Sequence, residues 1–412
     1  MYGLTTYPSL TLKQLAAITP NKHSVELIDE RYKKINFSGS YDLVGISCLT
    51  YNAPRAYEVA DEFRRRDVKV VLGGYHPSAL PEEAKQHADA VVIGEAEYSL
   101  PQLLTDLEKG ELKPFYRSKK FVDPNEIPSA DHQIRVESPF IESVQATRGC
   151  PNQCQFCAIK EIEGCILRSR PIENVIEEIK SINKKRLFFA DASLTINPSY
   201  SKSLFKEMKE LNKKFDCCGN INVLAKDDEF LKLASEAGCE LIQVGFESIS
   251  QKSIDDINKK TNKVEEYAKA IRKIEDYGIM VMGLFIFGFD KDAQDIFTKT
   301  LDAVNEWNID RAFFFILTPY PGTNIFHKLD EEGRILTKDW SKYTQMQVVF
   351  QPKNMTIDEL STGTKRVIED FHSISNSLRR CFNDDDLSLT RFIARISRDI
   401  SAKWYYKTLR RP

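Results

Sequence analysis

Three closely spaced cysteines are the residues of this sequence best suited to chemistry. Cys150, Cys154 and Cys157 lie within the stretch TRGCPNQCQFC, directly after an apolar run. Thiolates clustered this tightly select zinc or an iron–sulfur cluster. Structural zinc usually has a fourth Cys or His ligand, but Cys165 stands alone and His132 lies outside the loop. Three ligands on a four-iron cluster leave one iron open, so the spacing predicts a catalytic [4Fe–4S] cluster.

Alternating apolar runs and amphipathic stretches around this loop predict the fold that positions it. Helical spacing is clear in stretches such as 172–182 and 264–277. Six strand–helix units fit a partial (β/α)6 barrel of the TIM type, whose active site lies at the carboxyl ends of its strands. The candidate strands are 143–147, 186–191, 217–223, 241–247, 280–288 and 311–317.

The same alternation before the barrel predicts an N-terminal doubly wound, Rossmann-like α/β domain. Its candidate strands are 25–28, 42–47, 68–72 and 90–93. The sequence thus divides into an N-terminal domain at 1–110, a proline-containing connector at 111–142, a barrel core at 143–335 and a helical C-terminal extension at 336–412.

Composition narrows the class of protein. The 412 residues are 42% hydrophobic and 29% charged, with a formal net charge of −2. Because proteins that bind nucleic acid usually carry a basic excess, we expect no nucleic-acid partner. The sequence has neither an apolar run of about 18 residues nor a signal peptide, which predicts a cytoplasmic protein. Its nine cysteines are then expected to be thiols and metal ligands.

The cysteine loop resembles the signature of the radical S-adenosylmethionine (SAM) superfamily. The resemblance implies that SAM chelates the open iron, and that an electron from a flavodoxin- or ferredoxin-type donor cleaves it to methionine and a 5′-deoxyadenosyl radical. By similarity, Phe156 contacts the adenine, Asp191 the methionyl amino group and Glu247 the ribose, while Ser248 and Gly288 line the same pocket. Helix capping is the alternative role for such strand-end carboxylates.

The N-terminal domain resembles the cobalamin-binding domains that precede many radical SAM barrels. Ser47 and Leu49 after one strand, and Gly73 and Gly74 after another, match the elements that admit the nucleotide tail of cobalamin. The Asp-x-His-x-x-Gly element that supplies a lower cobalt ligand is absent, and no opening strand precedes Pro8. A domain that only supports the barrel is therefore the alternative to a cobalamin-binding one.

With cobalamin bound, the resemblance implies methylation of an unactivated carbon, using two molecules of SAM per turnover. Residues 332–336, 339–343 and 354–356 resemble the extension of a subgroup that includes hopanoid methylases and other lipid or natural-product enzymes. Radical cyclisation, C–C coupling or oxidation without functional cobalamin is the enzymatic alternative. An iron–sulfur electron carrier is the non-enzymatic one.

The end of the sequence predicts a basic amphipathic helix. Phe392, Ile396, Ile400 and Trp404 recur every four residues among basic side chains. Such a helix either packs on its own protein or lies at a membrane surface, where it would bring the enzyme to a lipid substrate.

Overall fold

Two parallel sheets organise the computed structural model, which describes residues 7–134, 140–382 and 406. Helix α1 (Leu10–Ile18) precedes the first sheet, whose strands lie in the order β1-β2-β3-β4. The elements of this sheet are β1 (Leu43–Ser47), α2 (Ala53–Arg65), β2 (Lys69–Gly73), α3 (Tyr75–Ala79), α4 (Pro81–His87), β3 (Ala90–Ile93), α5 (Ser99–Glu108) and β4 (Phe115–Arg117).

Helices cover both faces of the first sheet. Val70 and Leu72 of β2 pack in one core with Val59 and Phe63 of α2. The residue between them, Val71, belongs to a second core that includes residues of α5. Because successive strand residues point to opposite faces, this alternation accounts for a sheet buried on both sides. The predicted Rossmann-like domain is confirmed.

Two segments of this region differ from the prediction. Residues 25–28 form no strand, and Val25 is 37% exposed. An apolar run becomes a strand only where a neighbour accepts its backbone hydrogen bonds, and the described residues before Leu43 offer none. Conversely, β4 pairs with β3 although its sequence lies in the predicted connector.

The second sheet is the predicted partial barrel. Its six strands are all parallel, in the order β12-β11-β10-β9-β8-β5. The elements are β5 (Ile141–Val144), β6 (Thr147–Arg148), α6 (Lys160–Glu163), β7 (Arg168–Ser169), α7 (Ile172–Ser181), β8 (Arg186–Phe189), α8 (Pro198–Met208), β9 (Lys214–Gly219), α9 (Ile221–Leu224), α10 (Asp228–Glu236), β10 (Cys239–Glu247), α11 (Gln251–Asp256), α12 (Tyr267–Asp276), β11 (Met280–Phe287), α13 (Ile296–Glu306) and β12 (Arg311–Ile316). The two-residue strands β6 and β7 pair antiparallel beside the cysteine loop.

The barrel strands divide their side chains between two faces. On β10, Ile242, Val244 and Phe246 are fully buried in the core shared with the helices, whereas Gln243 and Gly245 are partly exposed. The core residues of the strand thus face outwards to the helices, and the alternate residues line the concave face. The N-terminal segment also reaches this face, where Tyr7 stacks on Phe188 with ring centroids 3.7 Å apart.

A helical extension follows the barrel. Helix α14 (Asn324–Glu331) is the last helix of the barrel region, and the extension contains α15 (Ile357–Phe371) and α16 (Ile374–Phe382). Tyr406, beyond them, is buried, and its hydroxyl oxygen accepts a 2.7 Å bond from the Phe314 amide of β12. The predicted stripe of Phe392, Ile396, Ile400 and Trp404 lies outside the described residues. No helix in the described part of the chain is long and apolar enough to cross a membrane.

Asp290, just after β11, ties the end of that strand to α14 and to Arg334 beyond it. Its carboxylate lies 2.7 Å from Arg334 Nη2 and 2.8 Å from Lys328 Nζ, and its side chain is 7% exposed. Burial alone would raise the pKa of Asp290, but the two cations lower it to about 2. The ionised carboxylate therefore stabilises the fold above the unfolded-state pKa of about 4, and this stabilisation is lost as the pH falls towards 2.

Replacing Asp290 by asparagine is expected to lower the free energy of unfolding by about 2 kcal/mol at pH 7. The difference from the unmodified protein should shrink as the pH falls from 5 towards 2, because protonation removes the same charge. Urea unfolding at several pH values measures it. Asp330→Asn, which breaks the exposed pair with Lys338, is the control and should change little. A pH-independent loss would contradict the ionic explanation.

Candidate active site

Gln155, in the middle of the cysteine loop, is hydrogen-bonded to two neighbouring segments of the barrel. The backbone amide of Gln155 donates to Ile257 O at 3.0 Å, and its side-chain amide donates to Asp256 O at 2.8 Å. The Gln155 carbonyl oxygen accepts a 3.0 Å bond from the amide of Ile325. The loop is therefore held between the end of α11 and the start of α14, at the carboxyl ends of the strands.

The beginning of the loop depends on a glycine. Gly149 has φ +83°, and a Cβ there would lie 2.2 Å from Ile166 O. The amide of the next residue, Cys150, donates to Gly164 O at 3.2 Å. A larger side chain would push the backbone at Cys150 off this partner, so glycine is required here both by conformation and by space.

The three cysteines share one environment with a lysine and a glutamate. Burial raises the pKa of the Cys154 thiol to about 11, and the charges of Lys259, Cys157, Glu247 and Cys150 also act on it. Among the described residues, no three His, Cys, Asp or Glu side chains converge closely enough to hold a single metal ion. Three thiols on one loop match the three protein ligands of a [4Fe–4S] cluster that keeps one iron open, so this donor set fits such a cluster.

Glu247 occupies a strained position at the end of β10. It has φ +60°, and the pairing of β10 with β11 shifts between Gly245 and Glu247. Only glycine adopts this conformation at no cost, so neighbouring contacts must stabilise it. The carboxylate lies over Gly245, where a Cβ would be 2.3 Å from Glu247 Oε1. The bulge thus aims a carboxylate at the cysteine loop.

Lys259 is the partner of this carboxylate. Its Nζ lies 2.8 Å from Glu247 Oε1, and the two side chains are 13% and 8% exposed. Burial alone would lower the pKa of Lys259, but Glu247 and the thiols of Cys154 and Cys157 raise it. An ammonium group therefore lies between a carboxylate and the predicted cluster ligands. Lys259 was not among the residues predicted from the sequence.

Asp191 connects β8 to the start of the cysteine loop. Its carboxylate accepts bonds from the Ala146 amide at 3.1 Å, the Thr147 amide at 2.5 Å and the Thr147 hydroxyl at 2.6 Å. Burial raises its pKa to about 7, although these bonds lower it. The carboxylate thus fixes the backbone that enters the loop. Its contact with the methionyl amino group stays a prediction.

The other predicted SAM residues lie on neighbouring strand ends. Phe156 is partly exposed, with its ring centroid 6.2 Å from that of Phe289. The Ser248 hydroxyl accepts a bond from the Ser250 amide at 3.1 Å. Gly288 has φ +102°, and a Cβ there would lie 2.8 Å from Leu360 Cδ2, so packing against α15 already explains this glycine. The contacts of these residues with SAM stay predictions.

The predicted cobalamin residues form a cradle at the carboxyl ends of β1 and β2. Gly74 has φ +91°, and a Cβ there would lie 2.8 Å from Ser47 Oγ and 2.8 Å from Cys48 O. A Cβ on Gly73 would meet nothing closer than Val92 at 3.7 Å. Leu49 beside them is 51% exposed. This glycine-lined site at the carboxyl ends of a parallel sheet, with the Ser47 hydroxyl beside it, fits a nucleotide-tailed cofactor.

Comparison with known proteins agrees with this geometry. Residues 6–104 match the model of the B12 binding domain, and residues 144–304 match that of the radical SAM superfamily. The bacteriochlorophyllide d C-8(2)-methyltransferase of Chlorobaculum tepidum is 36% identical over 83% of this chain and 80% of its own. The C-12(1)-methyltransferase of the same organism is 30% identical over 90% and 82%. The chain belongs to the cobalamin-dependent methyltransferases of the radical SAM superfamily.

A solved structure of this radical SAM group shares the whole fold. The methyltransferase TsrM from Kitasatospora setae, determined with cobalamin and a [4Fe–4S] cluster, superposes with a TM-score of 0.72 at 16% identity and covers 97% of both chains. The radical SAM protein described here accordingly uses a [4Fe–4S] cluster, SAM and cobalamin. It is an enzyme, so the electron-carrier alternative is set aside.

Two further residues of the radical SAM core escaped the sequence analysis. The Asp292 carboxylate accepts bonds from the amides of Gly288 and Phe289 and from the Ser253 hydroxyl, and it thereby ties the end of β11 to α11. Glu163 accepts a 3.0 Å bond from the Gly149 amide. Both lie outside the cysteine motif, and only the three-dimensional contacts reveal them.

Replacing Gly74 by alanine is expected to abolish cobalamin binding in the reconstituted radical SAM enzyme. The new methyl group would collide with Ser47 and Cys48 and close the cradle. The absorbance of bound cobalamin after desalting measures the loss. Gly110→Ala is the control, because Gly110 also has a positive φ of +72° but open space around its Cα. Full cobalamin content in Gly74→Ala would contradict the assignment of the cradle.

Proposed function

We propose that the enzyme methylates an unactivated carbon of a largely apolar, ring-containing lipid or natural product. The cluster site at the barrel mouth beside the cobalamin cradle carries this proposal. When bound, the [4Fe–4S] cluster supplies the electron that cleaves SAM, and cobalamin carries the methyl group. Cys150, Cys154 and Cys157 would hold the cluster, and Ser47, Leu49, Gly73 and Gly74 would hold the cobalamin tail.

Residues around the cysteine loop position SAM. The Glu247 carboxylate can accept a bond from a ribose hydroxyl while Lys259 keeps it oriented. Phe156 offers an aromatic surface for the adenine. Asp191 holds the Thr147 backbone from which the cysteine loop starts, so its effect on SAM acts partly through the position of the loop.

The concave face of the barrel supports an apolar substrate. Leu284 and Ile286 of β11 and Phe315 of β12 are partly exposed there, whereas the strand residues between them are buried against helices. Partly exposed apolar side chains inside a barrel favour a ligand that removes them from water. The two Chlorobaculum relatives are named for bacteriochlorophyllide, a ring compound of this kind.

Anaerobic turnover with SAM labelled as S-CD3 tests the proposal. Bacteriochlorophyllide d and a hopanoid are the first probes. We expect 5′-deoxyadenosine, S-adenosylhomocysteine and a product in which CD3 has replaced hydrogen. Cys150→Ala, which should yield none of the three, is the matched control. A product that has lost hydrogen or closed a ring without gaining CD3 would favour the cyclisation or oxidation alternative.

For its partners, we propose a flavodoxin- or ferredoxin-type electron donor and contact of the basic C-terminal segment with anionic membranes. The basic side chains of that segment should gain about 1 kcal/mol each near such a surface. Co-sedimentation with anionic liposomes should therefore fall with salt. Arg391→Glu combined with Arg395→Glu should weaken it, whereas neutral liposomes serve as the control. Binding that ignores both salt and charge would contradict this contact.

A further inference from the structure

A buried ionic cluster joins the N-terminal domain to the cysteine loop. Arg148 Nη1 lies 2.6 Å from Glu97 Oε1 and 3.2 Å from Glu95 Oε1. Arg168 Nη2 lies 2.8 Å from Glu95 Oε1. None of the four side chains is more than 10% exposed. Two carboxylates that follow β3 thus meet two guanidinium groups from the β6–β7 pair.

On one side, this ionic cluster is continuous with the cobalamin cradle. Gly94 directly precedes Glu95, and its amide donates to Ser78 Oγ at 2.9 Å. The Ser78 hydroxyl in turn donates to Gly74 O at 2.7 Å. The turn that carries Glu95 and Glu97 is therefore hydrogen-bonded, through the Ser78 side chain alone, to Gly74 of the cobalamin cradle.

On the other side, the ionic cluster is continuous with the cysteine loop. Arg148 Nε donates to Gln145 Oε1 at 2.8 Å, and Gln145 Nε2 donates to Glu163 Oε1 at 3.2 Å. The second oxygen of Glu163 accepts the bond from the Gly149 amide. These bonds fix Arg148, which lies two residues before Cys150. The residue between them, Gly149, has a backbone conformation that is itself restricted.

Four buried charges contribute little to holding two domains together. Desolvation offsets much of the attraction between buried ions, and apolar side chains of similar volume stabilise an interface equally well. What hydrogen-bonded ionic contacts add is direction, and Arg168 binds both carboxylate oxygens of Glu95 through its two terminal nitrogens. Radical and methyl chemistry on a single carbon requires such geometry, because displacements on the order of 1 Å between reacting groups slow a reaction strongly.

We propose that Glu95 and Glu97 are positioning residues that hold the Arg148–Cys150 segment, and with it the [4Fe–4S] cluster, at a fixed distance from bound cobalamin. This inference rests on the two cofactors and goes beyond the proposed methylation. The charged groups act through Arg148 and touch neither cofactor. Neutralising Glu97 should therefore leave both cofactors bound but loosen the distance between them.

Pulsed electron paramagnetic resonance tests this inference on the holoenzyme. The reduced cluster and cob(II)alamin are both paramagnetic, so their dipolar coupling reports the distance between them. We expect one narrow distance distribution for the unmodified enzyme and loss of that narrow component in Glu97→Gln, with iron and cobalamin contents retained. Glu97→Asp, which keeps the charge, should restore part of it. Glu108→Gln is the control, since Glu108 forms an exposed pair with Lys22.

An unchanged narrow distribution in Glu97→Gln would overturn the inference. If Glu97→Gln loses a cofactor, Glu95→Gln is measured in its place, and an unchanged narrow distribution there would overturn the inference in the same way. The measurement uses no substrate. A failure to detect methylation would therefore count against the proposed function and leave this result standing.

Discussion

Replacing Cys154 by alanine is expected to remove the [4Fe–4S] cluster and all cleavage of SAM. Three thiolates are predicted to hold the cluster and to leave one iron for SAM, so loss of one ligand would remove about a third of the protein bonds to iron. We expect iron and sulfide to fall from about one cluster per chain to near zero, and 5′-deoxyadenosine to fall to background. Cys150→Ala and Cys157→Ala should behave in the same way.

The other cysteines provide matched controls for this result. Cys165 is exposed and lies close to the loop, whereas Cys217 is buried in the barrel core. Cys165→Ala and Cys217→Ala should both keep the full iron content, measured after anaerobic reconstitution. If either variant lost the cluster while one of the three loop variants kept it, the ligand assignment would be wrong.

Replacing Glu247 by alanine is expected to raise the dissociation constant for SAM by roughly 5- to 150-fold, which corresponds to the loss of about 1–3 kcal/mol for a buried, charge-assisted bond. Lys259→Met should destabilise the fold by about 3–5 kcal/mol, because it leaves the Glu247 carboxylate buried without its partner. Calorimetric titration with SAM and urea unfolding measure the two effects.

A double variant separates binding from stability at this pair. Glu247→Gln combined with Lys259→Met removes both buried charges, so most of the stability lost in Lys259→Met should return. SAM affinity should stay low, because the carboxylate is still missing. Glu236→Gln, which breaks an exposed pair with Lys209, should change neither quantity. Recovery of SAM affinity in the double variant would show that Glu247 only compensates Lys259.

A site residue could be predicted when its partners lie close to it in the sequence, and not when they meet it only in the folded structure. The three cysteines lie within eight residues of one another, so their spacing was visible directly. Glu247, at the end of a predicted strand, was assigned by similarity to the radical SAM superfamily, but its partner Lys259 was not predicted. Their pairing depends on the bulge after Gly245, and nothing in the local spacing indicates that irregularity. The interdomain contact of Glu97 with Arg148 depends in turn on how two domains pack.

Prediction of the strands was limited in a similar way. All six barrel strands were predicted, because alternating apolar runs are a strong signal. The third was placed at 217–223, whereas the strand is Lys214–Gly219 and Ile221–Leu224 is helical. A short apolar run has no period of its own, so it can be read as either structure. The strand expected at 25–28 failed for a related reason, since strand formation also requires a hydrogen-bonding neighbour.

The contact of Tyr406 with Phe314 has a consequence for versions of the protein that are shortened at the C-terminus. Among the strands that the structure describes, β12 has one partner, β11, and an outer strand edge is where strands of separate molecules can pair. The Tyr406 hydroxyl occupies one backbone group at this edge, the Phe314 amide, and its ring packs beside Phe313. Trimming the C-terminus to improve expression would uncover this edge, and purification would then be expected to yield aggregates rather than a smaller active enzyme.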